Sequence, residues 1–561
     1  MSYEPPWERL LTSLRTWAKA REATGGIEVS FVGGAGTRRT VEIVMTSGEW
    51  DELAEVIGRE SPDSIKRRLL ALEDDKAFLV CDSGVEIVAS STRHLPSDEF
   101  AGFTPGSGGE WFVTDEAGNT ISRFADASDN DHPPAEARAL SRRVGLGSEW
   151  HGVEVPSLPT LPDVEDNEAV AAWVAAHLGH LCLEGPEGVR AGGHRGGQTA
   201  ADAALATLDI TGYARSRSTV LPEHRRGASR LSPYIRHGLL SLPDVWDAVA
   251  GGPPSDRRRF RDELLWQEFA RHLYARIGPA LAEPLRYDPP HPPNQQNWNE
   301  EMACTSWVRG ELEDDGWLVN QTRMWWSSHW TVRHGRDWRE GEDDFFRHLL
   351  DGSRAANRLG WQWTVGTGTG KPYGFSRWQV EKRAPELCRR CPLRDDCPIQ
   401  DWPDAARGAP VNSSTLTEPE ATVPGAGPEG PVLRGAPEAV WLTAESLGDG
   451  DPALAAHPEF PVVFVYDEPL LRSLRLSGKR LIFLTESLAD LARRRDVEVR
   501  VGRVPEELAG RSLAVTFAPV PGFARHSASV DIAGLYPWPW LARPTDQRLT
   551  SYSAWRKGAD R

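Results

Sequence analysis

Three of the six cysteines stand close together, Cys388, Cys391 and Cys397, in the stretch LCRRCPLRDDCP. A C-x2-C-x5-C spacing lets three thiolates converge on one centre, and thiolates suit iron–sulfur clusters and zinc alike. The remaining three, Cys81, Cys182 and Cys304, are scattered. That distribution argues for a local site and against a disulfide framework. Tryptophan is the second signal: the chain has 23, nearly half of them between Trp266 and Trp378. Indoles mostly fill cores, yet so local a concentration sets this stretch apart. Arginine is the third. Arg215, Arg217, Arg225, Arg226, Arg230 and Arg236 precede Arg257, Arg258, Arg259 and Arg261. They read either as a phosphate-facing surface or as solvated helix faces.

The elements around these residues carry five ordered motifs: GASRLSPYIRHG at 227–238, RDELLWQEFARH at 261–272, NQTRM at 320–324, DWREGEDDFF at 337–346 and DGSRAANRLGWQW at 351–363. In order and spacing they resemble the signature segments of the FAD-binding domain of DNA photolyases and cryptochromes, within a region of roughly two fifths of the chain. The resemblance implies a folded-over FAD in a helical bundle. Ser229, Arg230, Leu231 and Ser232 match the stretch that holds its diphosphate, where a helix start offers N–H groups to an anion. Tyr213 and Phe260 match residues lying against the cofactor. Arg323 and Asp351 match an ion pair beside the isoalloxazine ring, and Asn357 the residue facing flavin N5. Gln267 and Ser353 depart from the pattern, standing where the family often has Arg and Asp.

On the substrate side, Glu263, Trp266, Asn320, Met324 and Trp363 fall where enzymes for cyclobutane pyrimidine dimers contact the flipped lesion. Two indole faces can stack on splayed bases. Trp361 and Trp338 match the first two members of the family's electron-transfer chain; Trp298, Trp307, Trp325 and Trp330 are the candidates for a third. The function so implied is light-driven repair of cyclobutane dimers by electron transfer from reduced FAD. A cryptochrome-like blue-light receptor without repair is the alternative. The His pair of enzymes acting on (6-4) photoproducts is not evident, since Val319 precedes Asn320. The cysteine motif resembles the 4Fe–4S sites of helix-hairpin-helix DNA glycosylases and of a bacterial photolyase/cryptochrome subclass. Cys304 is then the fourth ligand. Zinc on the same four thiolates is the rival.

Three folded parts are expected. Residues 1–160 read as an α+β domain of unknown role, with strands at 27–31, 40–45, 77–80, 85–89 and 110–114, helices at 50–57 and 64–73, and a loop at 125–134. Residues 165–404 read as the all-helical FAD-binding domain with its cysteine site. Residues 405–436, rich in Pro, Gly, Ser, Thr and Glu, read as a linker. In 437–561, short apolar runs at 439–443, 462–466, 481–484, 497–501 and 512–517 alternate with helical stretches, the pattern of a small Rossmann-like α/β sheet. Its opening, AVWLTAESLGDGDPAL, resembles the first strand and loop of the photolyase α/β antenna domain, and 480–491 with 497–502 resemble a following helix and strand. That domain ordinarily precedes the flavin domain, so a permuted order is expected; no antenna chromophore can be named. The tail from 536 looks irregular. A net charge of −17 argues against a general nucleic-acid coat, though not against a local DNA-binding face. No signal peptide or membrane span is legible, so a cytoplasmic protein acting on UV-damaged single- or double-stranded DNA is expected.

Overall fold

A computed structural model describes seven strands between residues 27 and 124, and residues 158–289, 301–403, 406–411, 424–545 and 549–558. Met1–Pro156 and Ser157–Arg561 are two compact units. In the first, β1 (Ile27–Val32) pairs antiparallel with β2 (Arg38–Ile43), and β3 (Ala77–Cys81) with β4 (Gly84–Val88). β5 (Gly102–Pro105), β6 (Trp111–Thr114) and β7 (Thr120–Phe124) form an antiparallel three-stranded sheet. β5 and β7 were not foreseen from the sequence. The helices expected at 50–57 and 64–73 and the loop at 125–134 lie outside the described residues.

The second unit is mixed helical and α/β. Its central helix, Pro254–Ile277, starts with proline in its first turn and stops at Gly278, whose φ is +50°. Phe260, Leu264, Phe269 and Leu273 are buried along it, an apolar stripe at helical period. The Arg354–Val365 helix is capped by Ser353, whose hydroxyl accepts from Ala356 N, and is ended by Gly366 at φ +87°. Thus the departure at Ser353 has a local role, since serine is a preferred N-cap. Beyond the helices a six-stranded sheet runs β11 (Val497–Gly502), β10 (Val462–Asp467), β9 (Ala439–Leu442), β12 (Leu513–Thr516), β13 (Ile532–Tyr536) and β8 (Val432–Leu433). All pairings are parallel except β8 with β13. Counted from β9, the parallel order is 3-2-1-4-5, a doubly wound pattern whose direction reverses between β9 and β12.

Two expectations fail here. The apolar run 481–484 is not extended: it lies inside the Gly478–Ala492 helix, in agreement with the reading of 480–491 as a helix, and every residue from Gly478 to Leu491 is buried. Four consecutive apolar residues read equally as a short strand or as part of a buried helix. The tail also contains a helix, Tyr552–Gly558, anchored by buried Trp555.

The Gly478–Ala492 helix lies between sheet and helices, and its polar side chains find partners in the helical part. Arg480 donates to the carbonyls of Phe346 and Gly352, Glu486 accepts from Gly196 N at 2.6 Å, and Asp490 accepts from Thr199 Oγ1 at 2.7 Å. A β-carbon on Gly196 would come within 2.1 Å of Phe483 O, so the approach requires glycine. One hydrophobic core accordingly runs from Val170 and Phe260 to Val440, Phe464 and Trp555.

His272 gives this junction a pH dependence. Its Nδ1 accepts the indole N–H of Trp555 at 3.0 Å, so its proton sits on Nε2, which donates to Ala542 O at 2.6 Å. Burial, with Arg276 nearby, lowers its pKa to about 4 against the opposing hydrogen bond to Ala542. The folded state holds the neutral ring, so this contribution is complete above the ordinary value near 6.5 and is lost as pH falls towards about 4. We expect melting temperature to drop across that window, with His272 alone contributing on the order of 3 kcal/mol. The check is thermal melting from pH 7 to 4.5 for wild type and His272→Gln, whose amide cannot ionise. The variant should show the shallower slope.

Candidate functional site

Between the helices and the C-terminal ends of β9, β12 and β13 lies a cavity of about 620 Å³. The Pro254–Ile277 helix lines it with Arg259, Phe260, Glu263, Trp266, Gln267, Arg271 and Tyr274, a repeat of three to four residues that puts them on one face. The Asn320–Ser328 helix contributes Asn320, Arg323 and Met324, and the Arg354–Val365 helix Asn357, Gly360, Trp361 and Trp363. Tyr213, Ser229, Arg230, Ser232, Asp351 and Ser353 complete the residues singled out from the sequence. Two of the set lie elsewhere: Leu231 is buried in the main core, and Trp338 is buried in a second core that also holds Trp325 and Trp361. Of the third-indole candidates, Trp307 and Trp330 pack at the edge of that core, and Trp298 is outside the described residues.

Arg323 Nη2 donates to Asp351 Oδ2 at 2.7 Å, and Arg323 Nε to Leu318 O. Burial opposes ionisation of Asp351, but the adjacent guanidinium outweighs it and holds the carboxyl below its usual range. The amide nitrogen of Asn357 and the indole nitrogen of Trp361 are buried without hydrogen-bond partners. Two orphan donors in one cavity wall are costly unless a ligand supplies acceptors. Trp361 seats against Gly341, where a β-carbon would fall 2.1 Å from its ring. At the other end, Arg230 has φ +58° and Leu231 follows in the right-handed helical region. Such alternation can aim successive N–H groups at one anion. Arg230 also stacks over Trp317 at 4.7 Å.

On the open side, Glu263 pairs with Arg217 at 3.0 Å, and Asn320 Nδ2 approaches Met324 Sδ at 3.7 Å. Trp266 stacks on Tyr552 of the tail helix at 3.8 Å and 13°. One indole face is thereby covered, which leaves the other face and the edges for the cavity. The arginine run does not form a single basic face. Arg226 is buried against Glu311, Arg236 pairs with Glu445, Arg261 lies over Trp246, and Arg230 and Arg259 line the cavity.

The sequence reading missed the walls supplied by Glu445, Pro519, Val520 and Trp538. They follow β9, β12 and β13 and reach the cavity only through the tertiary fold. Arg271 and Tyr274 were within reach, since extending the period of Phe260, Glu263 and Gln267 leads to them.

Cys304, Cys388, Cys391 and Cys397 line one small cavity with Met302, Leu387, Ile399, Arg377 and Arg394. Burial pushes the Cys304 thiol well up, and the three other cysteines add to that; burial and Glu381 push Cys388 up to about 11. None of the four is in a disulfide. Among the described residues, however, no group of three or more such side chains is gathered as a single-ion site.

Residues 260–384 match the family model for the FAD binding domain of DNA photolyase. This stretch is similar to the photolyase/cryptochrome family. The chain is 34% identical over 167 residues to the deoxyribodipyrimidine photo-lyase of Vibrio cholerae, covering 27% of this chain and 35% of that one. The Escherichia coli deoxyribodipyrimidine photo-lyase is 35% identical over 161 residues, covering 26% and 34%. The chain thus spans about a third of the length of the curated relatives it matches. Among solved structures, a bacterial class III photolyase from Agrobacterium tumefaciens is 28% identical, with coverage of 35% and 44% and a TM-score of 0.28. A Synechocystis cryptochrome is 22% identical, with coverage of 34% and 44% and a TM-score of 0.31. Among the described residues no helix is long and apolar enough to cross a membrane.

Proposed function

We propose that this chain is a flavoprotein that splits cyclobutane pyrimidine dimers in UV-damaged DNA under blue light. One observation carries the reading: a single cavity is lined both by the residues matched to FAD, Leu231 excepted, and by all five matched to the lesion. Bound FAD would supply the photochemical electron. The chain's own residues would hold and orient. The turn at Ser229–Ser232 would grip the diphosphate, and the Arg323–Asp351 pair would fix charge beside the ring. The orphan donors of Asn357 and Trp361 would find acceptors there. Trp266 and Trp363 would stack on extruded bases while Glu263, released from Arg217, and Asn320 bond their edges. Trp361 and Trp338 would carry electrons inward.

The four cysteines are read as ligands of a 4Fe–4S cluster. The C-x2-C-x5-C spacing with Cys304 in the same cavity supports that reading, and a zinc ion held by the same four thiolates is its rival. The sheet of β8–β13 is read as the family's α/β domain in permuted position.

The test uses purified protein, photoreduced anaerobically, with an oligonucleotide carrying one thymine dimer. Blue light should restore intact thymines, and darkness should not. A protein whose flavin responds to light while dimers persist would be a photoreceptor, and the repair reading would fail.

A further inference from the structure

Four tryptophans are exposed among the described residues: Trp266 and Trp363 in the cavity wall, and Trp378 and Trp402 beyond it, the latter two at 56% and 55%. An indole left so open forfeits its burial energy, and such residues are enriched where partners dock. Trp378 and Trp402 face each other at 6.5 Å and 39°. They form a shelf continuous with the cavity rim. Trp363 contacts Tyr373 at 5.3 Å, and Tyr373 is followed by Gly374, where a β-carbon would lie 2.6 Å from the Trp402 ring. Glycine there lets the indole lie on the backbone.

The shelf is held in place before anything binds. Tyr373 Oη accepts from Gln321 at 3.0 Å and Gln379 at 2.7 Å. Arg333 donates to the carbonyls of Phe375 and Asp401, tying together the segments that carry the two indoles. Arg377 N donates to Ile399 O at 2.6 Å, and its guanidinium to Arg394 O at 2.7 Å. Lys382 Nζ stands 4.7 Å from the Trp378 ring centre, and Lys371, two residues before Tyr373, is exposed; Glu381 on the same helix is taken up by Arg377 at 2.8 Å.

We infer that Trp378 and Trp402 bind unpaired bases of a single DNA strand that runs out of the cavity. Exposed rings interleaved with cations are what single-stranded nucleic acid requires: every base has a stacking face, and every linkage a negative charge. The inference rests on the proposed action on DNA, with the shelf joined to the cavity wall through the Trp363–Tyr373 contact.

The test uses the full chain in the dark with an undamaged, fluorescein-labelled single-stranded thymidine oligomer, and its duplex for comparison. Trp378→Ala and Trp402→Ala should each weaken single-strand binding roughly tenfold, and the double variant more. Trp378→Phe should restore most of the affinity. Flavin content and melting temperature should stay at wild-type values, since both rings are exposed. Duplex binding should change less. Wild-type affinity in the double variant would overturn the shelf, as would equal losses on duplex and single strand. Because the probe carries no lesion and sees no light, failed photorepair with normal shelf binding would count against the proposed reaction alone.

Discussion

Asp351→Ala should purify with at most a tenth of the wild-type flavin and should melt at a lower temperature. The Asp351 carboxylate is buried and bonded to Arg323 at 2.7 Å. Removing it leaves a guanidinium, itself only 21% exposed, without its counter-charge in a cavity wall. Breaking a buried pair from one side is worth about 3–5 kcal/mol. The lower end applies here, because Arg323 keeps its bond to Leu318 O. A tenfold fall in affinity needs only about 1.4 kcal/mol, so the loss of colour should be large even if part of the cost is absorbed by relaxation. Asp351→Asn keeps the shape and one acceptor but not the charge, and should fall between. The ratio of flavin to protein absorbance, with a melting curve, decides the matter. Full flavin in the alanine variant would mean that the pair stands away from the cofactor.

The site residues were singled out by their resemblance to the family's motifs, and local rules account for how some of them are placed. Helical period alone places Phe260, Glu263 and Gln267 on one face, and the same holds for Asn357 and Trp361. The turn between Arg354–Val365 and its neighbours follows from Ser353 and Gly366 at its two ends. The strands β9 to β12 were legible as apolar runs bounded by turns. What could not be read was whatever depends on distant partners. The arginines from Arg215 to Arg261 look alike in sequence, yet Arg226 meets Glu311 and Arg236 meets Glu445. Such pairings take Arg226 and Arg236 out of the basic face that the spacing suggests.

The Gly478–Ala492 helix shows the same limit from the other side. Its Lys, Arg, Glu and Asp residues suggest a solvated face, but Arg480, Glu486 and Asp490 are buried against partners far away in the chain. Taken alone the apolar segment 481–484 reads as a strand, whereas the resemblance over 480–491 reads as a helix, which the structure has. The walls from Glu445, Val520 and Trp538 arise for a related reason: the sheet reverses direction between β9 and β12, and ligands in such sheets gather at that crevice. Here the crevice opens onto the helical cavity, a consequence of packing that no single segment carries.

Cys304→Ala should abolish the metal content of the purified protein. Cys304 lies on the Ala303–Asp314 helix, far in sequence from the loop of Cys388, Cys391 and Cys397, and all four line one cavity. Without a metal the arrangement is unfavourable to thiolates: burial and the neighbouring cysteines drive the Cys304 proton on, and burial holds Cys388 at about 11. A cationic centre reverses that balance, since it binds the thiolate and releases the proton. Arg377 and Arg394 in the cavity wall suit a site whose four thiolates leave it net negative. Losing Cys304 removes the one ligand that ties the loop to the helix preceding Asn320 and Arg323. The variant should therefore also melt earlier and hold flavin less tightly than wild type. Anaerobic purification with iron, zinc and acid-labile sulfide assays reads the result. Iron with matching sulfide in wild type, and neither in the variant, is the expected outcome. Zinc without sulfide would replace the cluster by a single ion, and equal metal in both proteins would remove Cys304 from the site.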